Sequence, residues 1–153
     1  MALQNKIMED MKTALKSGDQ FALDVLRFVN AAFHNKSIDK RGRGLPEELT
    51  EDEVLEILNR EVKKRREAAD LYKKGNRTDL AEKEEKEIVV IQKYLPAQMD
   101  RNEIEKVVEK VLVTLRQAPG EISFGNFMKE VMKELKGKAD AKIISEIIKE
   151  KLA

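Results

Sequence analysis

Residues 50–75 read TEDEVLEILNREVKKRREAADLYKKG, and the reading of this stretch decides the fold. Val54, Ile57, Leu58, Val62, Ala68, Ala69 and Tyr72 return at three- and four-residue steps, the spacing that gathers side chains on one face of an α-helix. Thr50 followed by Glu53 supplies a start, because each side chain can satisfy the other's free backbone N–H. Gly75 supplies the stop. Upstream, Leu3, Ile7, Met11 and Leu15 predict a first helix closed by Gly18. Asp19 can cap a second helix, in which Ala22, Val25, Leu26, Val29, Ala32 and Phe33 share a face. The segment SIDKRGRGLPEEL at 37–49, with Gly42, Gly44 and Pro46, predicts an exposed loop. Downstream, a fourth helix starts near Thr78 or Asp79 and carries Leu80, Ile88, Ile91 and Leu95. Pro96 stops it, since the residue before a proline is pushed out of helical geometry.

Beyond that proline the pattern restarts. Asp100 with Glu103 predicts a capped helix bearing Ile104, Val107, Val108, Val111, Leu112 and Leu115, which Pro119 and Gly120 punctuate. Ser123 can cap a sixth helix with Phe124, Phe127, Met128, Val131, Met132 and Leu135. Gly137 ends it, and Asp140 caps the last helix, with Ile143, Ile144, Ile147, Ile148 and Leu152. No alternating strand pattern competes. The expected architecture is all-α: an N-terminal four-helix bundle over residues 1–95, then a small three-helix unit over 96–153, with a hinge at Tyr94-Leu95-Pro96. A core of the smaller unit's size is marginal by itself.

Composition removes whole classes of chemistry. The 153 residues contain no cysteine, which excludes thiol catalysis, disulfides and cysteine-ligated metals. His34 is the single histidine, so no site needing two can exist. The four serines (Ser17, Ser37, Ser123 and Ser145) lie in no Gly-x-Ser-x-Gly or serine–lysine signature, and no phosphate loop or GxGxxG is present. EKEEKE at 82–87 reads as a solvated helix face, and RGRG at 41–44 is a weak phosphate-nest candidate. No catalytic residue, metal site or cofactor is expected. Thirty Lys and Arg against twenty-nine Asp and Glu give a net charge of +1, so no bulk basicity points to nucleic acid. No apolar run approaches membrane-spanning length, and the opening MALQNKIMEDMK has no secretory hydrophobic region. The expectation is a cytoplasmic protein with no membrane partner.

Charge placement is more telling than charge total. Glu61 and Arg65 fall inside the apolar face of the third helix, four apart in the acid-first order that favours pairing. Glu87 lies among the apolar positions of the fourth, so Arg65 can be shared between Glu61 and Glu87 as a buried network fixing helix register. From Arg60 to Arg77 eight basic residues face three acidic ones. Lys63 and Lys64 are the phosphate candidates of that run. A second group, Lys129, Lys133, Lys136 and Lys138, surrounds the end of the sixth helix, where lysines also suit the helix dipole. Arg27, on the face of the second helix opposite its apolar stripe, is a further exposed candidate.

Four segments together resemble a known family: LRFVNAAFHN at 26–35, REVKKRREAADLYKKGNRTDLAEKEEKEI at 60–88, YLPAQM at 94–99 and FGNFMKEVMKELKGKADA at 124–141. The chain resembles YqeY-like proteins, stand-alone relatives of the C-terminal helical region of the GatB component of glutamine-dependent aspartyl/glutamyl-tRNA amidotransferase. The resemblance implies an all-helical fold in two parts and a non-catalytic tRNA-binding role. It also carries over Lys136, Gly137, Lys138, Ala139 and Asp140, Gly137 and Asp140 as structural residues of a tight helix–helix turn. Carbon–nitrogen ligase activity with glutamine as donor belongs to the larger enzyme, and the residues for it are absent here. The alternative is a helical protein-interaction adaptor for a translation or amidotransferase complex. The expected partner is therefore tRNA or a translation-related protein.

Overall fold

The computed structural model describes residues 2–153. Among them lie seven α-helices and no strand: α1 (Ala2–Ser17), α2 (Gln20–Gly42), α3 (Glu51–Lys74), α4 (Thr78–Gln92), α5 (Arg101–Arg116), α6 (Phe124–Leu135) and α7 (Ala141–Leu152). The chain divides into two compact units at the Leu95–Pro96 step.

Side-chain caps set most of the helix starts. Thr50 and Glu53 form a reciprocal capping box on α3, and Asp100 and Glu103 form another on α5. Asp19, Ser123 and Asp140 each accept a backbone N–H from the first turn of α2, α6 and α7. α4 starts without one; its flanking Arg77 pairs with Asp79 instead. Gly18 and Gly137 take positive φ after α1 and α6, a conformation that costs a side-chain-bearing residue steric strain. At the end of α3 the left-handed residue is Asn76, not Gly75.

The first unit packs α1 on α2 and α3 on α4 around Ile7, Val29, Phe33, Val54, Leu58 and Ile91. Burying each such side chain contributes about 1.5–3 kcal/mol. The Tyr94 hydroxyl donates to Asp10, tying the end of this unit to α1. In the second unit, Ile104, Val108, Phe127, Val131, Ile144 and Ile147 form a separate core. Arg101 fastens α5 to α7 with hydrogen bonds of 2.8 and 2.9 Å to both Glu150 oxygens.

The expected loop at 37–49 is half helix. α2 runs on through Gly42, and the connection to α3 is correspondingly shorter. The cause is Lys40, whose ammonium group is buried and donates to the Glu48 carbonyl (2.6 Å) and to Glu53 (2.8 Å). An Asp39–Arg43 pair supports the same turn, and Gly44, at φ 71°, provides the exit. Nor is the segment wholly exposed, since Leu49 is buried in the first core.

Candidate functional site

The eight basic residues between Arg60 and Arg77 do not act as one patch. Five are engaged by carboxylates: Arg60 by Glu56, Lys64 and Arg65 by Glu61, Lys73 by Glu85, and Arg77 by Asp79. Lys63, Arg66 and Lys74 have no ion pair among the described residues, and Arg66 and Lys74 are exposed. Of the two lysines singled out on this helix, Lys63 is therefore available to phosphate. Lys64 is exposed but sits 3.3 Å from Glu61. Arg27 is exposed on α2 and unpaired among the described residues.

The second basic group has a better-defined scaffold. α6 ends at Leu135, the backbone turns through Gly137, and Asp140 opens α7. The Met99 N–H donates to the Lys138 carbonyl (3.0 Å), and the Gln98 side chain reaches the Gly137 carbonyl (3.5 Å). The segment after the Tyr-Leu-Pro step is thus stitched to the Lys-Gly-Lys turn. Lys129, Lys136 and Lys138 have side chains unpaired among the described residues, whereas Lys133 is held by Glu130 at 2.8 Å. Lys142, in the first turn of α7, is a further exposed and unpaired lysine there that the spacing of the α6 lysines did not disclose. The α7 N-terminus is not itself an anion site, because the Asp140 carboxylate occupies it.

Glu61, Arg65 and Glu87 come together inside the first unit. Arg65 donates through Nη1 to the Glu61 carboxylate (2.7 Å) and carbonyl (3.1 Å), and through Nε to Glu87 (3.1 Å). Glu61 and Arg65 are both buried. The arrangement fixes α3 against α4. No cluster of three His, Cys, Asp or Glu side chains among the described residues is placed to hold a metal ion.

The chain is all-helical in two units, with a lysine-rich turn stitched to the segment after the dividing proline. The chain belongs to the YqeY-like protein family, whose profile matches residues 4–152. Fungal relatives extend the comparison. A protein of Pyrenophora tritici-repentis is 28% identical over 149 residues, covering 95% of this chain and 78% of the relative. One of Lachancea thermotolerans is 28% identical over 128 residues, 82% of this chain and 66% of the relative. One of Vanderwaltozyma polyspora is 29% identical over 127 residues, with the same two coverages, 82% and 66%. All three are named altered inheritance of mitochondria protein 41, mitochondrial. This chain thus spans about two-thirds of the length of the last two. No described helix is long and apolar enough to cross a membrane.

Proposed function

We propose that this protein is a non-catalytic tRNA-binding module of the cytoplasm, related to the tRNA-holding appendage of glutamine-dependent tRNA amidotransferase. The observation that carries the reading is the turn between α6 and α7. Lys136 and Lys138 project from a backbone fixed on both sides, with Lys129 and Lys142 nearby in sequence and no carboxylate neutralising any of the four among the described residues. Cations on a rigid turn hold phosphates with little loss of side-chain freedom beyond their own rotamers. With 5% aromatic residues and no Trp, the chain has few platforms for unpaired bases, so shape and backbone contacts dominate over sequence readout.

The test is fluorescence anisotropy with labelled unmodified tRNA between about 50 and 200 mM salt, with duplex DNA as competitor. Four phosphate contacts predict that log affinity falls with log salt at a slope of about −3. The double variant Lys136→Gln/Lys138→Gln should bind several-fold more weakly while far-UV circular dichroism shows its helices retained. Binding that duplex DNA abolishes, or that ignores these two lysines, would overturn the proposal.

A further inference from the structure

A different surface of the first unit carries a second binding chemistry. α2, α3 and α4 leave between them an open groove of about 420 Å³. Its lining includes four carboxylates, from Asp24, Glu61, Glu84 and Glu87, against two cations, Lys64 and Arg65. Both cations are already committed to Glu61 and Glu87. Glu84 accepts no hydrogen bond and forms no ion pair among the described residues, although it is half-buried. Burial first, and then the charge of Glu87, hold its carboxyl above the ordinary value, with Arg65 and Lys83 only partly offsetting them.

The groove also presents an aromatic ring. Phe28 is 60% exposed, even though the Arg65 guanidinium lies over its ring at 5.3 Å from the centroid. An exposed phenyl lining the same groove as a half-buried carboxylate that has no ion pair among the described residues is a combination that folding does not require. Apolar surface continues beyond the groove. Phe21 lies two helical turns before Phe28 on the same face of α2 and is exposed, as is Leu71, one turn after the lining residue Ala68. Acidic lining repels phosphate, so this is not a nucleic-acid surface.

We infer that the groove docks a partner protein through an arginine side chain presented from an apolar surface. A guanidinium is planar, so it can lie against the exposed part of the Phe28 ring while its N–H fork pairs with Glu84. The exposed Phe21 and Leu71 then cover apolar residues flanking that arginine. The inference goes beyond the tRNA reading and does not depend on it.

The experiment is a ¹H–¹⁵N NMR titration of the full chain with N-acetyl-arginine N-methylamide. The citrulline analogue, which has the same shape but no charge, and spermidine are titrated in parallel. Saturable shifts of the Phe28, Ala68 and Glu84 amides with the arginine derivative, absent with citrulline, are expected. Phe28→Ala should weaken that binding about two- to five-fold, and Glu84→Gln about five-fold. Glu84→Gln removes a carboxylate with no hydrogen bond or ion pair among the described residues, so it leaves the fold intact. Three outcomes overturn the assignment: equal shifts with citrulline, tighter binding of spermidine at the same amides, or shifts of these amides with protein concentration alone. The second would assign the groove to a polyamine and the third to another copy of this chain.

Discussion

Removing the Arg65 side chain is the sharpest test of how the first unit is held together. The Arg65 side chain is 9% exposed and its guanidinium makes three hydrogen bonds, while the Glu61 side chain is 4% exposed and that of Glu87 20%. In Arg65→Ala the Glu61 carboxylate stays buried with only Lys64, an exposed lysine 3.3 Å away, to balance it. Breaking a buried pair from one side costs about 3–5 kcal/mol, because the remaining charge has neither water nor partner. For a domain of this size each kcal/mol moves the midpoint by about 4–8 °C, so a loss of at least about 12 °C is expected. Circular dichroism melting of the full chain measures it. Substituting both partners by apolar residues, as in Glu61→Leu/Arg65→Met, should recover much of the loss, since no orphan charge remains in that pair. A single variant within about 1 kcal/mol of the wild type, or a double variant as poor as the sum of the singles, would refute the reasoning.

Three further outcomes follow from individual groups. The hydrogen bond from Lys40, and then that from the Thr50 backbone, lower the Glu53 carboxyl below its ordinary value. Its contribution is therefore complete above about pH 4–5 and is lost as pH falls through the folded value. Lys40→Met should cost about 1.5–3 kcal/mol at neutral pH and flatten the acid side of a pH–stability profile. At Glu84 the sign is opposite, because its folded value is raised. Glu84→Gln should stabilise the first unit by about 0.2–0.5 kcal/mol at pH 7, by removing the like-charge pair with Glu87 one turn away. That gain should vanish in acid, where the wild-type carboxyl is protonated. Burial, then the hydrogen bond and charge of Asp10, raise the Tyr94 phenol, so its contribution is present below about pH 10 and lost as pH climbs through the folded value. Tyr94→Phe should cost about 1 kcal/mol at neutral pH in the same melting assay.

The periodic stripes and the Ser, Thr and Asp caps were legible in the sequence because both act within one turn of chain. Glu61 and Arg65 were legible for a related reason: a charge inside an apolar stripe must find a partner, and Glu87 was the carboxylate placed to supply it. The continuation of α2 was hidden because Gly42 and Gly44 are ordinary breakers. What overrides them is Lys40 reaching Glu53, thirteen residues away and across a turn. Counting only the charges inside 60–77 makes that run look more basic than it is. Glu56, Glu85 and Asp79 lie outside the Arg60–Tyr72 portion of the α3 stripe, and each neutralises a cation within the run. The groove beside Phe28 needs three helices to exist, so no single stretch of sequence announces it.

Each hydrophobic core is assembled from residues on its own side of Leu95–Pro96. Substitutions that repack one core leave the residue set of the other unchanged. Lineages can tune the lysine turn between α6 and α7 while the groove beside Phe28 keeps its lining, or the reverse. Chimaeras that exchange halves between distant relatives at this proline should fold, because each half carries its own core.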